Sequence, residues 1–240
     1  MTGTGRHAGR VALVTGARKG LGRALAEHLL AEGATVWGLA RGPAGIDHPA
    51  YVHRACDVAD DAALRSVFTD LARTHGRLDY LVNNAAVLTS RHAMILPPAN
   101  VRAMVDTNLL GGIFVAQHAA KLMKRGGFGR IVTIGSMAVA LEAVGDSVYA
   151  ATKAAMTTFA NVLAREVASF GITCNTLAIS AYPSDMLAQL PAEAVERALA
   201  GLPVPRPATL NDVTHVLDFF LLDPAGAVTA QSVFLGGAHA

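Results

Sequence analysis

Short apolar runs alternate with longer amphipathic segments along nearly the whole chain. The runs are rich in β-branched residues and end in glycine or polar residues, which is typical of strands buried on both faces of a sheet. These predicted strands are 11–15, 34–40, 51–56, 78–82, 130–135, 171–177 and 231–235. Helical spacing of apolar residues predicts helices over 23–32, 60–75, 99–125, 149–170, 192–201 and 212–222. The alternation predicts an α/β fold, a doubly wound parallel sheet of about seven strands with helices on both faces.

Helix ends and one irregular segment complete the predicted organisation. Gly33 is the residue type that commonly follows a helix, and Asn211 is a favourable N-cap for the last helix. Residues 181–207 are rich in proline and alanine, and we expect this segment to cover a substrate. No linker, repeat or change of composition divides the chain, so 1–240 is predicted to form a single domain.

Composition narrows the class of protein. Hydrophobic residues make up 52% of the 240 residues and charged residues 16%, which suits a large buried sheet. A net charge of +2 without a basic, aromatic-studded stripe favours neither nucleic acid nor a membrane surface as a partner. The amino terminus lacks an apolar signal core, and no run reaches the ~18 apolar residues of a spanning helix. We therefore expect a cytoplasmic protein.

Cysteine and histidine add little candidate chemistry. Cys56 and Cys174 lie far apart in unrelated contexts, so a structural disulfide is not expected. The nine histidines show no spacing typical of metal ligands, so no metal site is expected either.

A glycine-rich turn joins the first strand to the first helix. Gly16, Gly20 and Gly22 follow the spacing G-x-x-x-G-x-G, which differs from the G-x-G-x-x-G dinucleotide fingerprint. Such a turn lets backbone amides approach a pyrophosphate at a helix amino terminus. A tight strand-to-helix turn without any ligand would show the same pattern.

Cations near this turn indicate which dinucleotide it binds. An acidic residue at the end of the second strand binds the ribose 2′-hydroxyl of NAD, whereas arginine accommodates the 2′-phosphate of NADP. Arg41 stands there, with no acidic residue over 33–45, and Arg18 and Lys19 lie in the glycine turn. The pattern favours NADP(H), although solvated loop cations would give the same sequence.

Several polar residues lie near predicted strand ends or inside a helix. Asp57 either bonds an adenine amine or caps the following helix. Asn83 and Asn84 either bind a ligand or brace a turn. Asn108 is unfavourable in the middle of a long helix, so we expect it to make a local hydrogen bond or a bend.

Three residues after the fifth strand carry the candidate chemistry. Ser136 follows the strand, at the edge where open α/β sheets bind ligands. Tyr149 and Lys153 are four residues apart and share one helix face. A hydroxyl, a phenol and an ammonium in one crevice can polarise a carbonyl and give it a proton. The alternative is a strand-end serine and two residues on a helix surface.

Two groups of charged residues each have a functional and a purely structural interpretation. Glu142 and Asp146 lie on the loop before Tyr149, where they contact a polar or cationic substrate or are solvated. A second group consists of cations that favour the dipole of the long helix or bind an acidic partner. These are Lys121, Lys124, Arg125 and Arg130.

Together these motifs resemble the short-chain dehydrogenase/reductase family over nearly the whole chain. The cofactor turn T-G-x-x-x-G-x-G is 15–22, N-N-A-G appears as N-N-A-A at 83–86, and the helical asparagine is Asn108. The catalytic serine and Y-x-x-x-K are Ser136 and Tyr149 with Lys153. The chain looks most like bacterial β-ketoacyl-carrier-protein reductases. The resemblance implies a Rossmann-type fold and NADPH-dependent reduction of a ketone, such as a 3-oxoacyl group or a secondary metabolite.

The resemblance also implies roles for the catalytic residues. Tyr149 protonates the carbonyl oxygen, Ser136 donates a hydrogen bond to it, and Asn108 holds a water in a proton relay. Lys153 binds the ribose hydroxyls of the nicotinamide, and its charge is expected to lower the pKa of Tyr149.

The implied cofactor contacts and partners follow from the same resemblance. The expected cofactor-binding residues are Gly16, Arg18, Lys19, Gly20, Leu21, Gly22, Arg41, Asp57, Val58, Asn84, Ala85, Tyr149, Lys153, Ile179 and Ser184. The two long helices are expected to form a homotetramer or a homodimer. A ketone attached to an acidic carrier protein, which docks on the cations of the second group, is one expected substrate.

The chain departs from the family pattern beside the nicotinamide. The family's N-x-x-x-P-G appears as 175–180, with Ile179 and Ser180 in place of proline and glycine. Ser184 stands for a later threonine, and V-D-G-G appears as F-L-G-G at 234–237. An NAD(P)-binding regulatory or partner protein with little turnover is therefore the alternative function.

Overall fold

The computed structural model describes residues 5–238, so the predicted domain extends beyond the described residues at 1–4 and 239–240. Its centre is one sheet of seven parallel strands in the order β3-β2-β1-β4-β5-β6-β7. The strands are β1 Val11–Thr15, β2 Thr35–Ala40, β3 Tyr51–Ala55, β4 Tyr80–Asn83, β5 Gly129–Ser136, β6 Ile172–Ile179 and β7 Ser232–Phe234. The predicted doubly wound Rossmann-type sheet is confirmed.

Helices cover both faces of the sheet because its strands carry apolar side chains on both sides. Val11 and Leu13 of β1 belong to one core, whereas Ala12 and Val14 belong to the other. The helices are α1 Gly20–Ala31, α2 Asp61–His75, α3 Pro98–Met104, α4 Gly112–Gly126, α5 Ala138–Leu141, α6 Ser147–Val167, α7 Ala192–Ala200 and α8 Leu210–Leu221. Helices α2, α4 and α6 pack on the first face, and α1 and α8 pack on the second.

The predicted helix over 99–125 consists of three parts. Between α3 and α4 the chain forms a π-helical segment, Val105–Gly111, with Asn108 at its centre. A π turn is wider than an α turn and leaves the regular hydrogen-bond pattern. The regular α-helical pattern is therefore interrupted at Asn108.

The predicted N-cap of the last helix is wrong. Asn211 lies inside α8, and Thr209 is the cap. The Thr209 hydroxyl accepts from the Asp212 amide at 3.2 Å, and Asp212 Oδ2 accepts from the Thr209 amide at 2.8 Å. This reciprocal capping box satisfies two helix donors at once, which a single asparagine cap would not do.

A buried polar cluster ties the start of the chain to α1 and α8. Asp218 Oδ1 lies 2.9 Å from His7 Nε2 and 2.8 Å from His28 Nε2, and Arg6 Nη1 lies 2.8 Å from Oδ2. The cluster joins three distant parts of the chain, 6–7, 28 and 218, so spacing gave no sign of it. Hydrogen bonds to both histidines and an ion pair with Arg6 account for the buried carboxylate, whose pKa is lowered by these histidines against the effect of its burial.

Two further observations concern the chain as a whole. Cys56 and Cys174 are both free and buried, as expected. Within residues 5–238, every helix is too short or too polar to cross a membrane.

Candidate active site

A cavity of about 1150 Å³ opens at the carboxyl ends of the strands. This is the edge at which open α/β sheets bind ligands. All of the expected cofactor-binding residues line it, from the glycine turn, the chain after β2, β3 and β4, helix α6, the end of β6 and the segment after β6. Ser136 also lines this cavity. Asn108 does not line it, but the preceding residue, Thr107, does. Their roles as ligand contacts stay predictions.

The glycine turn has the geometry that a phosphate cradle requires. Gly16 and Gly20 adopt φ values of 69° and 57°, a conformation that favours glycine. A Cβ on Gly22 would overlap the carbonyl oxygen of Gly16. The turn leads directly into α1, whose first turn carries no acidic residue to compete with an anion. These residues therefore fit a dinucleotide pyrophosphate.

Thr15 stabilises the start of the glycine turn through hydrogen bonds, a role that was not predicted from the sequence. Its hydroxyl accepts from the amides of Asn84 and Ala85, both at 2.9 Å. Asn84 Nδ2 donates to the Thr15 carbonyl at 2.9 Å, and Asn83 Nδ2 donates to Gly112 at 2.9 Å. Both asparagine side chains thus stabilise the protein backbone. The only sequence signal for Thr15 was its position at the start of the glycine motif.

Two of the three predicted phosphate cations, Arg18 and Arg41, lie near each other at the cavity. Arg41 is two-thirds exposed, and its Nη1 lies 3.9 Å from Asp57 Oδ2. Arg18 packs against Gly42, the residue after Arg41. Lys19 instead reaches across the cavity mouth, where its Nζ lies 2.6 Å from Asp185 Oδ2 of the predicted covering segment.

Asp57 does not cap the following helix. Its Oδ1 accepts from the Ala59 amide at 3.0 Å and stabilises a turn. The N-cap of α2 is Asp60, which accepts from the Ala63 amide at 3.0 Å. Asp57 Oδ2 therefore faces the cavity side near Arg41.

The π-helical segment places the Asn108 amide against two other elements. Its Oδ1 accepts from the Val87 amide at 2.8 Å, and its Nδ2 donates to the Val87 carbonyl at 2.9 Å and to Thr152 Oγ1 at 3.2 Å. Thr152, which the sequence analysis missed, donates to the Tyr149 carbonyl at 2.8 Å. Both side-chain N–H groups are thus used within the protein, and the role of Asn108 in holding a relay water stays a prediction.

Ser136 and Tyr149 meet in the cavity at the end of β5. The Ser136 hydroxyl accepts from the Ala138 amide at 3.1 Å, which fixes its side chain. Tyr149 is buried on α6, and this burial raises its pKa to about 12, while the nearby Ser136 hydroxyl opposes the rise. At neutral pH the phenol is a proton donor.

Lys153 does not lower the pKa of Tyr149 in this structure, so that expectation is wrong. Its Nζ donates to the Ile134 carbonyl at 2.8 Å and lies 5.8 Å from the centre of the Tyr149 ring. Burial lowers the pKa of Lys153 to about 8. Burial of both groups outweighs the attraction of an ammonium for a phenolate.

The opposite wall of the cavity comes from β6 and the chain after it. Strand β6 ends two residues later than predicted, so Ile179 pairs with Ser136 across the ladder. The Met137 amide donates to the Ile179 carbonyl at 2.9 Å. Ser184 stands near Gly20 of the glycine turn, and its hydroxyl accepts from the Leu187 amide at 3.3 Å.

One predicted partner contact is contradicted. Arg130 is buried, donates to the Gly129 carbonyl at 2.9 Å and stacks 4.3 Å from the centre of the Phe128 ring. It cannot bind a docked acidic protein. Lys121, Lys124 and Arg125 are exposed on α4.

Comparison with known proteins identifies the family. The sequence model described as short chain dehydrogenase matches residues 10–194. The chain belongs to this family of oxidoreductases.

Several 3-oxoacyl-acyl-carrier-protein reductases are similar to this chain in sequence. FabG of Salmonella typhimurium and FabG of Escherichia coli are each 33% identical over 235 residues, which cover 95% of this chain and 96% of the relative. MabA of Mycobacterium tuberculosis, with the same activity in its name, is 30% identical over 234 residues, which cover 95% of this chain and 92% of the relative.

Solved structures give the same fold. A protein assigned as a gluconate dehydrogenase of Agrobacterium tumefaciens has a TM-score of 0.89 at 27% identity, covering 98% of this chain and 96% of that one. Levodione reductase has a TM-score of 0.87 at 27% identity, covering 95% and 96%.

Proposed function

We propose that the protein reduces a ketone to a secondary alcohol with NADPH. The observation that carries this proposal is the meeting of Ser136, Tyr149 and Lys153 in the cavity that the glycine turn enters. The side chains of Tyr149 and Lys153 are buried, which excludes water from the proton donor.

Each residue has a chemical task that follows from its position. A bound nicotinamide supplies the hydride. Tyr149 donates its phenolic proton to the carbonyl oxygen as negative charge develops there. Ser136 donates a hydrogen bond to the same oxygen. Lys153 places a positive charge beside this site, 5.8 Å from the phenol ring.

The relatives supply the substrate proposal. FabG and MabA are named as reductases of 3-oxoacyl groups on a carrier protein. We extend this activity, or the reduction of a related secondary-metabolite ketone, to the present chain. Lys121, Lys124 and Arg125 stay the proposed contacts for an acidic carrier.

A regulatory dinucleotide-binding protein is the second candidate, because Ile179 and Ser180 replace the proline and glycine of the family. The intact set of Ser136, Tyr149 and Lys153 supports the enzyme instead. We expect the protein to consume NADPH when a panel of ketones is supplied. The decrease in NADPH absorbance measures this consumption. Tight NADPH binding without turnover of any ketone would favour the regulator.

Arg41→Asp is expected to reverse the cofactor preference. Removing a charge-assisted contact to the 2′-phosphate should weaken NADPH by roughly 10- to 100-fold, and the new carboxylate should improve NADH. Cofactor dissociation constants check this, with Arg73→Asp on the exposed face of α2 as the control for a charge reversal. An unchanged ratio would remove Arg41 from the phosphate site.

The pH profile of ketone reduction should fall on the alkaline side with a pKa of about 8. The buried Lys153 has its pKa lowered to about 8, so its positive charge is present below this pH and is lost above it. Tyr149, with a pKa of about 12, stays protonated through this range. The measurement is kcat/KM against pH, since it reports groups of the free enzyme.

Lys153→Arg tests the assignment of this pH dependence. A guanidinium does not lose its proton in this range, so the alkaline limb should disappear even if the rate is lower. A wild-type profile that stays flat up to the ordinary lysine value of 10.5 would contradict the role of Lys153.

The assembly proposal rests on the two long helical regions. Leu110 in the π-helical segment and Val162 on α6 are apolar and exposed. A homotetramer or homodimer through these regions stays a prediction, which light scattering would test.

A further inference from the structure

The loop between α5 and α6 holds two acidic residues in different surroundings. Glu142 is exposed and adopts a φ of 46°, so its side chain is solvated. Asp146 is half-buried and lines the cavity that contains Ser136 and Tyr149. The structure therefore separates two residues that the sequence left equivalent.

The Asp146 side chain has no structural task that would explain its position. It occupies the N-cap position of α6, yet its carboxylate accepts no capping hydrogen bond. Its Oδ1 is buried without a hydrogen-bond partner in the described part of the chain. Its structural hydrogen bonds are made by the backbone: the amide donates to the Ala143 carbonyl at 3.1 Å, and the carbonyl accepts from the Ala150 amide at 2.7 Å. The carboxylate of this cavity-lining residue thus lacks a hydrogen-bond donor in the described part of the chain, and a ligand that donates to it would supply one.

Asp146 also lies close to the reacting groups. It precedes Tyr149 by three residues, and its negative charge contributes to the raised pKa of the phenol. The cavity-lining cation on the facing loop, Arg91, is exposed, and it forms no ion pair with Asp146 within residues 5–238. The carboxylate thus keeps its negative charge available for a ligand in the cavity.

Apolar side chains line two walls of the cavity near Asp146, while Ser90, Arg91 and His92 on the facing loop are polar. One wall carries Val87 and Leu88, which pack in the small core around Tyr149. The other wall carries Met137, Leu141 and Leu187, which pack with the segment after β6. A ligand between these walls presents mostly carbon, with one polar group directed at Asp146.

We propose that Asp146 determines substrate specificity by accepting a hydrogen bond from a hydroxyl, amide or ammonium group of an otherwise apolar ketone. This inference rests on the proposed ketone reduction. The same carboxylate repels a substrate that carries its own carboxylate near the carbonyl. The preferred substrate class is therefore an apolar ketone with a hydrogen-bond donor, and not a keto acid.

Three ring ketones that differ in one group test this proposal. They are cyclohexanone, a hydroxycyclohexanone and an oxocyclohexanecarboxylate. The wild-type enzyme should prefer the hydroxyl compound to cyclohexanone by roughly 10-fold or more in kcat/KM, because a hydrogen bond to a charged group is worth about 1.5–3 kcal/mol. It should use the carboxylate least.

Asp146→Ala and Asp146→Asn should remove this discrimination. In both variants the preference for the hydroxyl compound should fall, and the carboxylate should gain roughly 10-fold relative to cyclohexanone. Glu142→Gln, on the same loop but solvated, is the matched control and should keep the wild-type order. A variant that changes all three ketones by one factor would overturn the proposal, because Asp146 would then act on Tyr149 or on folding alone.

Calorimetric binding of the same ketones to the enzyme with NADP separates this proposal from the proposed function. Absence of turnover with every ketone would count against ketone reduction. Tighter binding of the hydroxyl compound, lost in Asp146→Ala, would still support the Asp146 site. Equal binding of all three ketones to the wild-type enzyme would overturn it.

Discussion

Tyr149→Phe is expected to lower kcat for ketone reduction by roughly 100- to 10,000-fold, the usual contribution of a positioned general acid. The ring that packs with Leu96 and Met104 is kept, so the fold and the cavity walls should be unchanged. NADPH affinity should change much less than kcat, because the other expected cofactor contacts are kept. Steady-state kinetics and cofactor titration measure the two quantities separately.

Tyr80→Phe is the matched control for this substitution. Tyr80 is also buried, and burial raises its pKa to about 12, but it lies in the core of β4 outside the cavity lining. It should keep nearly full activity. If Tyr149→Phe were as active as Tyr80→Phe, another group would have to protonate the substrate.

Asn108→Ala should cost both stability and activity. The buried amide makes three hydrogen bonds, so its removal leaves the Val87 amide and carbonyl and the Thr152 hydroxyl without this partner. Buried polar groups that lose their partners typically cost about 1–3 kcal/mol each, so a loss of roughly 2–4 kcal/mol in unfolding free energy is expected after relaxation. Denaturant unfolding and kcat report the two effects.

Asn100→Ala separates this effect from the loss of any asparagine. Asn100 Nδ2 donates to Thr89 Oγ1 at 3.1 Å and lies on the more exposed first part of the same helical region. Asn100→Ala should lower the unfolding free energy much less than Asn108→Ala does. Equal stability losses for the two variants would mean that the π-helical segment does not depend on the Asn108 amide.

Local sequence signals predicted the fold because the sheet is buried on both faces. Apolar runs such as 11–15 can only be central strands in a chain of this composition, and the alternation with helices leaves few topologies. Element ends were less predictable. The cap of α8 depends on a reciprocal bond between Thr209 and Asp212, which competes with a plausible asparagine nearby.

The candidate site was predictable in its residues and less so in its energetics. Motif spacing brought Ser136, Tyr149 and Lys153 together before the fold was known. Their pKa values depend on how deeply each group is buried, which spacing does not encode. Arg130 was misplaced for the same reason, since a sequence does not show that an arginine stacks inside the core on Phe128.

The strand pairing between β5 and β6 couples the positions of the two sides of the cavity. Ser136 and Ile179 are paired residues, and the Met137 amide donates to the Ile179 carbonyl. A change at Ile179 that shifts this carbonyl also shifts the hydroxyl that aims at the substrate. Free-energy effects of substitutions at the two positions are therefore not additive. Laboratory evolution of a new cofactor wall has to vary both positions in the same library.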